Sequence, residues 1–115
     1  MLYFAYGSNL HHKQMNKRCK DSKFIKSIIL QNFILSFRSK YRAADIQRKK
    51  GSKVPGGLYE ISKNDEKQLD IYEDYPILYK KMYFKYYNKK VMTYIMPKKT
   101  IFKYPTERYF NVVKQ

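Results

Sequence analysis

The chain has 115 residues, the size of one folding domain, and its 43% hydrophobic and 17% aromatic content excludes an entirely disordered protein. Its 25 Lys and Arg against 9 Asp and Glu give a formal net charge of +16. The aliphatic run Ile28–Leu30 is far too short for a membrane-spanning helix, and the single cysteine, Cys19, cannot form an internal disulfide. The N-terminus lacks the basic start of a signal peptide, so we expect a cytoplasmic protein.

The first half of the chain predicts a strand, a helix and two further strands. The apolar run Leu2–Ala5 reads as a strand that ends in the turn residues of Gly7–Asn9. A short helix is predicted over His11–Arg18. The Ile-, Leu- and Phe-rich segments Lys26–Gln31 and Phe33–Phe37 are typical of strands.

The middle of the chain is polar and then returns to strand character. The segment Arg38–Lys53 is basic, with a possible strand at Ala43–Ile46 and a turn at Gly51-Ser52. Val54–Ile61 predicts a strand, in which Gly56 and Gly57 indicate a bulge or the close approach of another group.

A helix, a hairpin and a last helix complete the prediction. Ser62 begins a helix with Asp65 placed for a capping box, and Pro76 ends it at about Tyr75. Two strands, Tyr79–Tyr87 and Val91–Met96, are predicted to form a hairpin across Asn88–Lys90. A final helix is predicted over Thr106–Lys114. We therefore expect one small α+β domain over residues 1–115, with a closed or strongly curled mixed sheet.

The composition argues against several classes of function. His11, His12 and Cys19 are too few to form a closed zinc site, so we expect no metal. No nucleophile-elbow sequence supports a serine hydrolase. The lysines are spread along the whole chain, which favours a solvated basic surface over a dedicated nucleic-acid face.

The turn at Gly7, Ser8, Asn9 and Leu10 lies between a predicted strand and a predicted helix. In such a turn successive backbone N–H groups can converge on a small anion, assisted by the positive end of the helix. The alternative is an ordinary tight turn.

Glu73 is the second candidate, because it follows Leu69 by four residues and so shares the apolar stripe of its predicted helix. Burial, the helix C-terminus and the neighbouring Asp74 would each raise the pKa of this carboxyl toward neutrality. A carboxylate tuned in this way suits proton transfer. The alternative is a solvated acid, paired with Lys80 or Lys81.

Five segments, in order, resemble the gamma-glutamylcyclotransferase family. They are Tyr3–Leu10 (YFAYGSNL), Met15–Cys19, Val54–Ile61 (VPGGLYEI), Leu69–Pro76 with Tyr79, and Pro105–Val113. The first and fourth are the specific ones, and together the five cover nearly the whole chain. Two departures stand out: the family more often has Gly where Asp74 stands, and many relatives extend the last helix beyond Gln115.

The resemblance implies a small β-barrel with flanking helices that converts a gamma-glutamyl amide to 5-oxoproline and a free amine, without a cofactor. Glu73 would be the proton shuttle, and the amides of residues 7–10 would hold the substrate's carboxylate or a developing oxyanion. Tyr79 would donate a hydrogen bond within a pocket that Tyr6 lines. The leaving amine is left open, and a gamma-glutamylamine is one alternative substrate. A second alternative is a non-catalytic basic module on the same fold that binds nucleic acid or another anion. The oligomeric state is not predicted.

Overall fold

The computed structural model describes residues 1–6, 12–37 and 44–97, with the backbone alone at residues 12 and 13. The predictions for Gly7–Leu10, for His11 and for the last helix lie outside these residues. The described elements are β1 (Leu2–Ala5), α1 (His12–Arg18), β2 (Lys23–Phe37), β3 (Ala44–Glu60), α2 (Lys63–Tyr72), β4 (Lys80–Tyr86) and β5 (Lys89–Ile95).

The five strands form one mixed sheet in the order β2-β3-β1-β5-β4. The β1 strand pairs with β5 in parallel, and the other neighbours are antiparallel. Successive side chains of a strand point to opposite faces, so Tyr3 and Phe4 of the central strand enter different cores. The predicted α+β class and mixed sheet are confirmed.

The sheet separates two cores. The helix-side core contains Tyr3, Ala5, Met15, Cys19, Tyr59, Ile61, Leu69, Tyr79, Met92, Tyr94 and Met96. The second core takes Phe4, Ile28, Val54 and Val91 from four strands, and Phe84 of β4 packs against it. All five strands contribute to this core, and Lys26 Nζ of β2 lies 5.9 Å from the ring centroid of Tyr86 in β4, so the sheet curls and brings its two outer strands near one another. Closure into a barrel is not observed, since β2 and β4 are the edge strands among the described residues.

The long β2–β3 ribbon corrects the predicted boundaries. The two strands expected over Lys26–Phe37 are one strand, and no turn interrupts β3 at Gly51. The register jumps from Gln31 opposite Lys53 to Phe33 opposite Arg48. Asn32 has a φ of 65° and Gly51 a φ of 85°, and the Gly51 N–H donates to Asn32 Oδ1 at 3.0 Å. The expected turn is therefore a bulge that bends the ribbon.

This bend brings the beginning of β3 to the end of β5. The Met96 N–H donates to Asp45 Oδ1 at 2.9 Å, and the Tyr79 hydroxyl donates to the Ala44 carbonyl at 2.5 Å. Residues that are 35 and 51 positions apart thus meet at one end of the sheet.

Three local predictions meet different outcomes. The close approach at Gly56 is confirmed: a Cβ there would meet the Phe4 ring and lie 2.6 Å from the Ala5 carbonyl oxygen. The capping box is also present, with the Asp65 N–H donating to Ser62 Oγ at 3.0 Å. The predicted three-residue hairpin turn over Asn88–Lys90 is wrong: the turn has two residues, Tyr87-Asn88, whose φ angles of 48° and 67° match a type I′ turn, and Lys89 and Lys90 belong to β5.

Candidate functional site

Glu73 lies at the C-terminal cap of α2, because the helix ends at Tyr72 and not at Tyr75. Its backbone N–H donates to the Leu69 carbonyl at 2.8 Å, and the fully buried Leu69 side chain fixes this turn in the helix-side core. Asp74 follows with a φ of 54°. This angle lies in the left-handed region, which glycine adopts without the steric cost that other residues incur. Asp74 therefore holds a backbone conformation that glycine would adopt at lower cost.

The Glu73 side chain is half-buried, and burial raises its pKa from 4.5 to about 7. The positive charge of Arg18 acts in the opposite direction. The Arg18 guanidinium carbon lies 3.4 Å from the ring centroid of Tyr72, the residue before Glu73. The raised pKa agrees with the sequence prediction, and burial rather than the neighbouring Asp74 is its main cause.

The negative charge of Glu73 acts on three tyrosines. Burial is the main cause of the raised pKa of Tyr6, Tyr79 and Tyr94, and the negative charge of Glu73 contributes to each of the three shifts. Two of these residues, Tyr6 and Tyr79, are candidates from the sequence. The fold therefore brings Tyr6, Glu73 and Tyr79 into one electrostatic group.

The hydroxyl protons of these tyrosines are already used within the protein. The Tyr6 hydroxyl donates to the Tyr94 carbonyl. The Tyr79 hydroxyl donates to Ala44, and the Tyr94 hydroxyl to Asp70 Oδ1 at 2.5 Å. A phenol has one proton to donate and two lone pairs. Tyr79 donates its one hydroxyl proton to Ala44, so its oxygen offers a hydrogen-bond acceptor, whereas the sequence predicts a donor to the substrate.

Asp45 belongs to the same group and was missed in the sequence. Its side chain is buried, and its charge raises the pKa of both Tyr6 and Tyr79, second only to burial for Tyr6. A fully buried Asp is rare unless its oxygens are bonded, and here Met96 supplies a backbone N–H. The available signal was a lone acid between Ala44 and Ile46 in a possible strand.

A salt-bridge network supports Tyr94 from the helix side. Lys81 Nζ lies 2.8 Å from Glu66 Oε2 and 3.2 Å from the Asp70 carboxylate, which also accepts the Tyr94 hydroxyl. Burial lowers the pKa of Lys81, but the hydrogen bonds to Glu66 and Asp70 outweigh it, so the net pKa is raised. Lys81, one of the cations considered as a partner for Glu73, is thus engaged with other carboxylates.

Other candidate chemistry receives no support from the described residues. Burial raises the pKa of Cys19 to about 12, and its Sγ donates to the Asp65 carbonyl at 3.7 Å, so the residue is a neutral thiol at pH 7 and not a thiolate nucleophile. Within residues 1–6, 12–37 and 44–97, no three His, Cys, Asp or Glu side chains are placed to hold a metal ion. Neither described helix has the length and apolar character to cross a membrane.

The fold resembles several solved structures. A structure described as a gamma-glutamyl cyclotransferase has a TM-score of 0.70 at 24% identity, over 84% of this chain and 66% of that one. An uncharacterized protein from Homo sapiens has a TM-score of 0.69 at 19% identity, over 99% and 98% of the two chains. An AIG2-like protein from Mus musculus has a TM-score of 0.65 at 18% identity, over 95% and 81%.

The family of this chain follows from a comparison of its sequence with models of protein families. At these identities the solved structures establish the fold, and the chain spans slightly less than two thirds of the first of them. A comparison with curated proteins finds no significant match. The model of the family "Gamma-glutamyl cyclotransferase, AIG2-like" matches residues 3–110. Because this match covers nearly the whole sequence, the chain belongs to the gamma-glutamyl cyclotransferase, AIG2-like family.

Proposed function

We propose that the protein cyclises a gamma-glutamyl amide to 5-oxoproline and releases a free amine, with Glu73 as the proton shuttle. The observation that carries this proposal is a half-buried carboxyl with a pKa of about 7, grouped with Tyr6 and Tyr79 in a member of this family. A group with that pKa is divided between its two protonation states at neutral pH, as a shuttle requires.

The reaction is intramolecular. The substrate's α-nitrogen attacks its own γ-carbonyl carbon, a five-membered lactam closes, and the bond from that carbon to the leaving nitrogen breaks. The enzyme's task is to fold the substrate so that these two atoms meet, which replaces much of the entropic cost of a bimolecular step.

The proton balance explains why one carboxyl is enough. The attacking nitrogen begins as an ammonium with three protons and ends as a lactam N–H with one, while the leaving nitrogen gains two and departs as an ammonium. Glu73 accepts one proton before the attack and passes it to the leaving nitrogen, and then repeats the transfer for the second. It ends each cycle ionised, as it began.

The hydroxyl oxygens of Tyr6 and Tyr79 are hydrogen-bond acceptors that suit the substrate's α-ammonium group. The hydroxyls of Tyr6 and Tyr79 donate hydrogen bonds to backbone carbonyls, so each oxygen keeps lone pairs to offer, and the charge of Glu73 acts on both residues. An ammonium has only donors, so we assign these two oxygens to hold it. The backbone amides of Gly7, Ser8, Asn9 and Leu10 are assigned to the substrate's carboxylate or the developing oxyanion, as the sequence predicts.

The test is a panel of gamma-glutamyl compounds assayed for release of 5-oxoproline. The panel contains gamma-glutamyl amino acids and ε-(gamma-glutamyl)lysine, so that the leaving amine is identified at the same time. We expect turnover of at least one compound and a loss of about two to four orders of magnitude in Glu73→Gln. Equal turnover by that variant would refute the role of Glu73, and no release from any compound would favour the non-catalytic alternative.

A further inference from the structure

In the fold, the acidic side chains gather around α2, and the β4–β5 hairpin carries only basic ones. Among the described residues, every acid except the buried Asp45 lies on α2, beside its ends, or bonded to its N-cap: Asp21, Glu60, Asp65, Glu66, Asp70, Glu73 and Asp74. The β4–β5 hairpin, residues 80–95, contains five lysines and no acid. Of these, Lys81 contacts the acids of α2, Lys80 lies at the open end of the hairpin, and Lys85, Lys89 and Lys90 lie near its tip.

The tip of this hairpin places two positive charges directly opposite one another. Lys85 and Lys90 are direct cross-strand partners, so their side chains lie on the same face of the sheet. Like charges directly opposite one another destabilise an antiparallel pair. Lys89, the next residue, is also exposed, on the opposite face of the hairpin, where Tyr86 is its cross-strand partner. Since neither strand supplies an acid, an external anion would relieve this repulsion.

Aromatic rings lie among these lysines. Tyr87, in the turn, is 82% exposed, and its ring lies edge-on to Tyr86 with the centroids 4.7 Å apart. Lys90 Nζ is 4.3 Å from the ring centroid of Tyr83. From the other edge strand, Lys26 Nζ lies 5.9 Å from the Tyr86 centroid, so the curl of the sheet adds a cation from β2. We call Lys26, Tyr83, Lys85, Tyr87, Lys89 and Lys90 the tip surface.

We infer that the tip surface binds single-stranded nucleic acid that wraps around the end of the hairpin, with lysines of both faces on its phosphates and the exposed ring of Tyr87 stacked on an unpaired base. Cations along a backbone combined with an accessible aromatic ring are the usual elements of single-strand binding without sequence preference. An anionic membrane is the less favoured partner, because Tyr83 and Tyr87 are the large apolar side chains exposed on the hairpin and no aliphatic side chain joins them among its described residues. The binding is independent of the proposed catalytic role of Glu73.

The experiment measures the anisotropy of a labelled 20-nucleotide oligo-dT with the full chain across a KCl series. We expect log Kobs to fall linearly with log[KCl], with a slope of about −0.7 for each phosphate contacted. Replacing Lys85, Lys89 and Lys90 by Gln should make the slope shallower by about 2. The matched control replaces the exposed Lys20, Lys63 and Lys67 by Gln, which gives the same net charge and should leave the slope unchanged.

Tyr87→Ala tests the stacking contribution separately. We expect this variant to bind oligo-dT about fivefold to a hundredfold more weakly than the wild type, with the same salt slope. Its affinity for a duplex of equal length should match that of the wild type. Circular dichroism verifies that each variant folds. Equal loss of slope in both triple variants would refute a localised surface, and unchanged binding by Tyr87→Ala would refute stacking. Binding to vesicles containing phosphatidylserine without binding to oligo-dT would overturn the choice of partner.

Discussion

Glu73→Gln keeps the size of the side chain and removes its ability to ionise, so it separates the chemistry of the carboxyl from its structural cost. The folded state raises the pKa of Glu73 from 4.5 to about 7, so it holds the proton more tightly than the unfolded state does. The stability of the wild type therefore falls as the pH rises from about 4.5 to 7, and the ionised carboxyl costs up to about 3 kcal/mol above this window. Gln carries no such cost.

The assay combines turnover with urea unfolding of both proteins at pH 4.5 and pH 8. We expect the variant to lose about two to four orders of magnitude in turnover. At pH 8 it should be more stable than the wild type, by at most about 3 kcal/mol, and the difference should shrink toward pH 4.5. A gain in stability would exclude misfolding as the reason for lost activity. A stability difference independent of pH would refute the burial of an ionisable group at this position.

Three further substitutions follow from the same contacts. Arg18→Gln removes the charge that lowers the pKa of Glu73, so the acid limb of the pH–rate profile should move to higher pH, whereas Lys17→Gln on the exposed side of α1 should leave it in place. Gly56→Ala forces a Cβ against the Phe4 ring and the Ala5 carbonyl, and urea unfolding should show a loss of about 1–3 kcal/mol. Asp74→Gly relieves a left-handed backbone angle and should stabilise the protein by roughly 1 kcal/mol in the same measurement; a destabilised variant would contradict this reading of the helix end.

The predictions that succeeded rest on local rules. The capping box of Ser62 and Asp65 needs only residues three apart, and the strand Leu2–Ala5 needs only a short apolar run before turn residues. Gly56 could be identified as a close approach because glycine otherwise weakens a strand. The bulge at Asn32 and Gly51 could not be identified, since the same residues are equally typical of a turn, and the difference lies in whether the strands pair on both sides.

The candidate site shows the same division. The raised pKa of Glu73 follows from its position one turn after Leu69, which the helical period reveals. Asp45 and Tyr94 were missed because their contacts join distant parts of the chain: Met96 reaches Asp45 across the bent ribbon, and Asp70 reaches Tyr94 from α2. Nothing in the local pattern distinguishes Tyr94 from the other twelve tyrosines of the sequence, since Tyr numbers 13 in all.

The pH dependence of kcat/KM for 5-oxoproline release tests the central claim most directly. Because Glu73 must be ionised to accept a proton from the substrate's ammonium, the rate should fall on the acid side with a midpoint at about 7. An acid limb with a midpoint between pH 4 and 5, the range of an ordinary glutamate, would contradict the account, because a carboxyl with that pKa is neither buried nor poised to return the proton.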